Sequence, residues 1–529
     1  MTRGAAVRLP DAAAHAAGGA ARGLRLGLLL GAGLLAACTL EPRYRAPPLP
    51  VPDQWPIPPT TAVGATSLAA GAAPPAAATG AGAGAGDATV GIKRAADIGW
   101  RDFFADPHLQ QIIALALGHN RDLRVAVLDI QLAHAQYQQQ RANLFPPING
   151  TATYQRQKIP AAQFGFPITS AYYTVGVALS SFELDLFGRV RSLNHAALQQ
   201  YFAQTEARRS TQLSLIAQIA QAYLTLLSDR ELLRLAQDTL QSQLHSYDIT
   251  VKEHDHGEVS GLDVAQADTT VESARSDVAR YQGAIAQDVD ALNLVVGAPV
   301  DTSLLPQGLT DHIIGIGALP AQLPSTVLLR RPDVLEAEHT LRADDADIGA
   351  ARAEFFPTIS LTGNIGSLSP QLTGLFQSGT GSWSYSPQIS LPLFRGGALV
   401  GNLKAAHVNR DIAVAQYQKA IQSAFREVAD ALALTRTLSR ERAAQQALVQ
   451  ATGRAYQLSQ QRYHAGRDSY LTVLDSQRSY YAAQQSLIAA ELAQQNNRVT
   501  LYKALGGGWR EHSVPGEPGD PGKSSEHSR

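Results

Sequence analysis

The chain is 529 residues long, 45% hydrophobic, and carries 44 lysines and arginines against 45 aspartates and glutamates. So balanced a charge argues against the basic surface that nucleic-acid binding needs, and a single cysteine excludes disulfides within the chain. Beyond residue 40 no apolar run approaches the roughly 20 residues of a spanning helix, so any membrane crossing by the rest of the chain has to be made of β-strands.

Residues 1–37 read as an export signal. Arg3, Arg8, Arg22 and Arg25 precede a short apolar run, Leu26 to Ala37, too short to cross a bilayer. The run closes with Leu35-Ala36-Ala37-Cys38. This end resembles a bacterial lipobox, which implies cleavage before Cys38 and acylation of its thiol and new amino terminus. Thr39, where an aspartate would mean retention, implies sorting to the outer membrane. The plainer reading of a lone cysteine, a buried structural thiol, suits the end of a signal poorly. The long Ala/Gly-rich lead fits a start downstream of Met1. Residues 38–58, with Tyr44 and Trp55, are Pro-rich and expected to be extended. Residues 59–92 are nearly all Ala, Gly, Pro, Thr and Val, the composition of a flexible tether, bounded here at 59–97.

A first unit spans 98–299. Trp100, Phe103, Phe104, Leu109, Ile112, Ile113, Leu115 and Leu117 recur at helical spacing. Asn120 is a suitable N-cap for a helix to about Leu144, with Asp122 favourable in its first turn. The helix stops at Phe145-Pro146, since proline disfavours helix in the residue before it. The period then changes from about 3.6 to 2, which predicts a β-hairpin over about 147–183. Val175 and Val177 fall on one face, Thr151 and Thr174 on the other. Residues 189–252 hold neither proline nor glycine, enough for a helix of about 100 Å at 1.5 Å per residue. Its narrow seam, through Leu213, Ile216, Ala220, Tyr223, Leu224 and Leu227, suggests coiled-coil-like packing. A break at Gly257 and Gly261 precedes a returning helix, about Leu262 to Val296, stopped by Gly297-Ala-Pro299.

After a linker, 300–325, the same order recurs over 326–508. A helix runs from Arg331-Pro-Asp333 to Phe355, and a hairpin follows over about 357–393. A long helix spans about 398–464, broken at Gly466, and a returning helix ends before three glycines at 506–508. Ile359, Leu361 and Ile389 share one strand face, Ser360 and Ser390 the other. Phe145 maps to Phe356 at an offset of 211, while Tyr247, Gly257 and Gly297 map to Tyr456, Gly466 and Gly506 at 209. Offsets held over whole elements mark a duplicated unit. Residues 509–529 read as a disordered tail.

Each strand is about 10 residues, the length of a tilted membrane-spanning strand. By themselves the strands fit two hairpins of a soluble sheet equally well. Four strands cannot close, however, and open edges are not tolerated in hydrocarbon. If these strands cross a membrane, copies of the chain have to associate so that the strands close a barrel and the helices a second ring beneath it.

The chain resembles the outer-membrane efflux proteins of the TolC/OprM type, in their NodT-like lipoprotein branch. The motifs that carry the resemblance cover residues 38–508. They are Cys38 with Tyr44 and Trp55; Trp100, Phe103 and Asp106-Pro107; Asn120-Arg-Asp-Leu123; Leu184-Asp-Leu-Phe-Gly-Arg189; Leu329-Arg-Arg-Pro-Asp333; Ile348-Gly-Ala-Ala-Arg352; Leu391-Pro-Leu-Phe394; and Gln461-Arg-Tyr-His-Ala-Gly466 followed by Tyr470-Leu-Thr-Val-Leu-Asp475. The resemblance implies a mixed α/β membrane protein: a homotrimer whose 12-stranded outer-membrane β-barrel, four strands per chain, is continuous with a 12-helix periplasmic α-barrel. It implies the exit duct of a tripartite pump, set in outer-membrane lipid and docked to a periplasmic adaptor (membrane-fusion) protein and an inner-membrane RND-type transporter. No cofactor and no nucleic acid is implied. His464 departs from the family pattern, where arginine is common, and Asp344-Asp345-Ala-Asp347 is more acidic than that pattern.

In that frame Val175, Val177, Ile359, Leu361 and Ile389 are expected to face lipid, and Thr151, Thr174, Ser360 and Ser390 the lumen. The hairpin tips at Gly257, Gly261 and Gly466 are expected to meet the adaptor. The resemblance places an aperture carboxylate at Asp475, with Arg462, Tyr463 and His464 just before the turn and in reach of neighbouring helices. The plainer reading of Asp475 is a solvated aspartate that suits a helix start. His254-Asp255-His256 lacks further ligands at metal-site spacing. Gly80–Gly86 has no Lys-Ser/Thr after it, as a phosphate loop requires. No enzymatic constellation is present. Two other readings remain: an exit duct for type I protein secretion, and a periplasmic structural coiled-coil lipoprotein.

Overall fold

A computed structural model describes residues 39–55, 97–160, 165–306, 313–314 and 324–513. Cys38, the signal, most of the 59–97 tether and the tail beyond residue 513 lie outside the described residues. The element order is α1 (Trp100–Phe103), α2 (Pro107–His119), α3 (Arg121–Ala142), β1 (Ile148–Ile159), β2 (Ile168–Leu184), α4 (Arg189–Asp255), α5 (Gly261–Val296), α6 (Pro332–Ala353), β3 (Thr358–Ser369), β4 (Gly381–Ser390), α7 (Ala398–His464) and α8 (Tyr470–Ala504). Among the described residues no helix is long and apolar enough to cross a membrane. The chain divides into two compact units.

The first unit takes residues up to Pro47, Ile130–Gln204 and Ala337–Tyr417. Its centre is one antiparallel sheet in the order β1-β2-β3-β4, leaving β1 and β4 as free edges. β2 is 17 residues long, well beyond the ten expected. It carries a bulge: Leu179 pairs with Gly363 but Phe182 with Leu361, so Ser180 and Ser181 together face Thr362. Ser181 takes φ 39° to make room. The extra residue shifts the alternation by one, so Phe182 and Leu184 take over the face that Val177 and Leu179 occupy. Where β2 turns into α4, Glu183 accepts two bonds from the Arg189 guanidinium, at 2.9 and 2.5 Å.

The residues after Cys38 bind this unit as an extended strap. Leu40 accepts from Arg352 through its carbonyl at 3.2 Å. Glu41 meets His195 Nδ1 at 2.7 Å, and Tyr44 donates to Glu338 at 3.0 Å beneath the Arg342 guanidinium. Gly349 has to be glycine here, because a Cβ would lie 2.8 Å from Glu41 Cα.

The second unit takes Pro48–Asp129, Thr205–Glu336 and Gln418 onward. Its core joins Trp100, Phe103 and Phe104 with Leu109, Ile112 and Ile113 of α2, Ile216, Ile219, Tyr223 and Leu224 of α4, Leu292 and Val296 of α5, and Tyr502 of α8. Phe103 stacks on Tyr502 with ring centroids 3.8 Å apart. Asp106 does two jobs. One carboxylate oxygen caps α2 by accepting from His108 N–H at 2.8 Å, and the other accepts from the Tyr223 hydroxyl at 2.7 Å. Asn120 caps α3 through Leu123 N–H and donates to the Val295 carbonyl at 2.7 Å. The strap ends in this unit, where Trp55 stacks on Phe425 at 5.4 Å and donates to its carbonyl.

Candidate functional site

Two places carry the residues singled out in the sequence: the faces of the sheet and the tips of the helix hairpins. Residues paired across an antiparallel sheet project to the same face. Val175 pairs with Ala152 and Ser367, and Val177 with Gly150 and Ile365; Ile365 pairs with Trp383, Leu361 with Pro387, and Ile359 with Ile389. Val175, Val177, Ile359, Leu361 and Ile389 therefore share one face, together with Trp383 and Tyr385. On the opposite face Thr151 pairs with Gly176, two residues from Thr174, and Ser360 lies opposite Gln388, two residues from Ser390. The register thus gathers Thr151, Thr174, Ser360 and Ser390 on one side, with Asn364, Ser384 and Ser386 beside them. It is a hydroxyl- and amide-lined surface backed by an apolar one.

Both hairpin tips turn on a glycine in the left-handed region, Gly257 at φ 78° and Gly466 at φ 67°. A β-carbon there would be strained. Beyond the glycines the two tips use different chemistry. At the first, Ser260 and Asp263 form a capping box over the start of α5, which begins at Gly261. His254 Nδ1 meets the Val259 carbonyl at 3.0 Å. At the second, the Arg462 guanidinium holds Asp468 through two bonds, at 2.6 and 2.8 Å. This pair keeps the Asp468 carboxyl below its ordinary value. Arg462 therefore pairs within its own turn and not with a neighbouring helix of the chain, because the turn at Gly466 doubles the backbone back on it.

Tyr463 does reach another helix. Its hydroxyl donates to Glu253 near the end of α4 at 3.2 Å. Burial, and then the Glu253 charge, push its phenol up to about 12. Its ring joins a cluster with Tyr247, Tyr456, Tyr470, Val473 and Leu474 that binds the two tips together. His464 is exposed beside Tyr463. Asp475 is exposed in the second turn of α8, and among the described residues it has no hydrogen-bond or ion-pair partner. Within one chain, then, Asp475 is not joined to Arg462, Tyr463 or His464. Glu253 and Asp468 were not apparent from the sequence. The repeat offset pairs Glu253 with Arg462, yet each takes a different partner.

Higher on the first hairpin Asp229 of α4 and Asp288 of α5 face each other. One oxygen of Asp288 is buried without a partner among the described residues. Burial, and then the Asp229 charge, raise the Asp288 carboxyl to about 6.

The sequence matches the Outer membrane efflux protein family over residues 112–298 and 323–507, one stretch in each repeat. An antibiotic efflux pump outer membrane protein of Pseudomonas putida, ArpC, is 44% identical over 490 residues, 92% of this chain and 96% of that protein. A toluene efflux pump outer membrane protein of the same species, TtgC, is also 44% identical, with the same coverage. The solved open state of the Neisseria gonorrhoeae MtrE outer membrane channel has a TM-score of 0.78 at 37% identity, over 90% of this chain and 100% of that one.

Proposed function

Because the chain belongs to the outer membrane efflux protein family, we propose that it carries small apolar and amphipathic molecules, such as antibiotics and aromatic solvents, out of the cell. It is the outer-membrane exit duct of a tripartite efflux pump. Its trimeric β-barrel is continuous with an α-barrel, and it works with a periplasmic adaptor and an inner-membrane transporter. An RND-type transporter is the partner we propose. Relatives named for antibiotics and toluene weigh toward small-molecule efflux and away from protein secretion.

The observation that carries this reading is the sided sheet with two free edges. A face of Val, Ile, Leu, Trp and Tyr suits hydrocarbon, and a face of Thr, Ser and Asn suits a wet lumen. Closing β4 of one copy on β1 of the next satisfies every edge. In this frame Thr151, Thr174, Ser360 and Ser390 line the passage, and the tips at Gly257, Gly261 and Gly466 meet the adaptor. Three Asp475 carboxylates around the axis form the aperture, which favours cations. The Arg462–Asp468 and Tyr463–Glu253 bonds hold the tips in place beside it, with His464 next to them.

Acylation of Cys38 completes the proposal. Thr39, the next residue, lies against Gly188, where a Cβ would come within 3.1 Å of Thr39 Cα. That is the turn from β2 into α4, so acyl chains on Cys38 would enter the membrane at the foot of the sheet. A mature amino-terminal peptide whose mass shows an unmodified Cys38 would refute this part.

The functional test is accumulation. A strain lacking this gene should retain a fluorescent amphipathic cation such as ethidium several-fold more than its parent, and the wild-type gene should restore export. Equal accumulation in all three strains, with the pump's other components expressed, would contradict small-molecule efflux.

A further inference from the structure

The strands of this chain are almost free of charge. Between Ile148 and Phe182, and again between Thr358 and Phe394, there is no aspartate or glutamate, and the only cations are Arg156 and Lys158. Both stand on β1, two residues apart, so they project to the same face. Arg156 pairs with Ala171 and Lys158 with Thr169; below them the register runs Tyr154 with Tyr173 and Ala152 with Val175. That is the apolar face of the sheet, the one that holds Val177, Ile365 and Trp383. The two cations therefore stand on the side that suits hydrocarbon, not on the side that suits water.

A cation on the lipid face is costly at the bilayer midplane and cheap near the interfaces, so height decides the cost. The feet of the strands join the helices, and the β1–β2 and β3–β4 turns lie at the opposite, outer end. The apolar rows begin at the foot with Leu184, Ile359 and Ile389 and reach Tyr154, Tyr173 and Ser369 at the top. From Ile359 to Ser369 is 369 − 359 = 10 residues, which at about 3.4 Å each and a tilt of about 40° rises about 26 Å. Outer-membrane barrels carry an apolar band about 25 Å tall with aromatic girdles at its margins. Tyr154 and Tyr173, with ring centroids 4.7 Å apart, stand where the outer girdle belongs. Arg156 and Lys158 lie about 5 and 10 Å further out, at the depth of the outer leaflet's headgroups.

Nothing in the chain neutralises them. The cross-strand positions where a carboxylate would pair hold Ala171 and Thr169. Both cations are exposed, and among the described residues neither has a hydrogen-bond or ion-pair partner. β4 and the β3–β4 turn, which come to lie beside β1 of the next copy when the barrel closes, contain no acidic residue. On the opposite face at this height stand two neutral amides, Gln157 and Gln155, the latter accepting from the Tyr172 hydroxyl at 2.8 Å. The charge is confined to the outward surface.

We infer that Arg156 and Lys158 form a binding site for the phosphate groups of lipopolysaccharide in the outer leaflet, one site on each copy of the chain. Charge and depth select the occupant. A zwitterionic phospholipid brings its own cation, whereas the lipid A anchor of lipopolysaccharide brings phosphates without one, in the leaflet these side chains reach. Arg156 can hold a phosphate through two parallel N–H bonds, and Lys158 adds a point charge beside it. The apolar stems of both side chains suit the upper margin of the hydrocarbon band, with their charged ends above it.

This inference rests on the sidedness of the sheet proposed above, and the experiment separates the two. Purified trimers, stripped of lipid in a neutral detergent, are titrated with diphosphorylated lipid A and separately with dephosphorylated lipid A, and bound molecules are counted by native mass spectrometry. Wild type should bind the diphosphorylated form on the order of tenfold more tightly, and rising salt should erase the difference. Arg156→Gln combined with Lys158→Gln should bind both forms alike. Arg156→Lys combined with Lys158→Arg, which keeps the charge, and Gln157→Ala, between them on the opposite face, should keep the preference. Inorganic phosphate at millimolar concentration should not displace lipid A; displacement would make this a site for free anions and overturn the lipid assignment. Wild-type trimers that bind the two forms alike, or a doubly neutralised variant that keeps the preference, would overturn the headgroup site and leave the sided barrel standing. Equal assembly of Val177→Arg and Thr174→Arg would overturn the sidedness, and this site with it.

Discussion

The sheet and the helical core use apolar side chains in opposite senses. Around α2, Phe103, Phe104, Ile112 and Ile113 are shut away from water by α4, α5 and α8 of the same chain. In the sheet, Ile365 and Trp383 form a neighbouring pair, yet they stand 67% and 76% exposed. The core is finished by one chain folding against water. The sheet is finished only by lipid on one face, water on the other and further copies at its edges. A small residue in the core should therefore weaken folding of the chain itself, whereas a charge in the sheet should act on membrane insertion.

The largest effect is expected in the core. Phe103→Ala removes a fully buried ring from its stack on Tyr502 and should cost about 3–5 kcal/mol. It should show as loss of full-length protein and as a lower unfolding temperature of the helical signal in detergent. Stability equal to wild type would mean that this cluster is not the folding core.

Next comes the sidedness of the sheet. Val177→Arg places a charge on the apolar face and should cost roughly 2–4 kcal/mol at mid-membrane, read as a fall in heat-sensitive trimer in the outer membrane. Thr174→Arg, on the hydroxyl-lined face, should assemble nearly as well as wild type. Equal losses at both positions would show that the faces are wrongly assigned.

The smallest effect is electrostatic and confined to the helices. Burial raises the folded Asp288 carboxyl to about 6, while an unfolded aspartate titrates near 3.9. As pH falls from 7 toward 4, the folded state takes up this proton before the unfolded state does, so the contribution of this site to stability rises. Asp288→Asn should flatten that part of the profile between pH 7 and 5 in trimer melting. An unchanged slope would remove Asp288 as its source.

The same contrast explains what was legible in the sequence. The long helices announce themselves by the absence of proline and glycine: α4 runs Arg189–Asp255 where 189–252 was expected. Both hairpins follow from the change of period after Phe-Pro. The bulge at Ser180 and Ser181 was hidden, because it is set by where β3 pairs and not by any local signal. The hydrogen bond from Tyr223 to Asp106 spans 117 positions and joins two residues that each look ordinary in their own helix. At the tips, glycine marked the turns. The partner of Arg462 depends on how Gly466 folds the six residues up to Asp468, which periodicity cannot express. The strap from Thr39 to Trp55 has no period at all, and its docking is written in Gly349 and Phe425, far along the chain.

The central claim, a trimeric duct whose helix tips form a cation-favouring aperture, is tested most directly by recording purified protein in planar bilayers. Wild type should insert as channels of small conductance that favour cations and are blocked by divalent ions at the side carrying the helix tips. Asp475→Ala should raise the conductance and weaken both selectivity and block. Asp475→Ala channels identical to wild type would contradict the aperture assignment, and trimers that insert without passing ions in either form would contradict the duct itself.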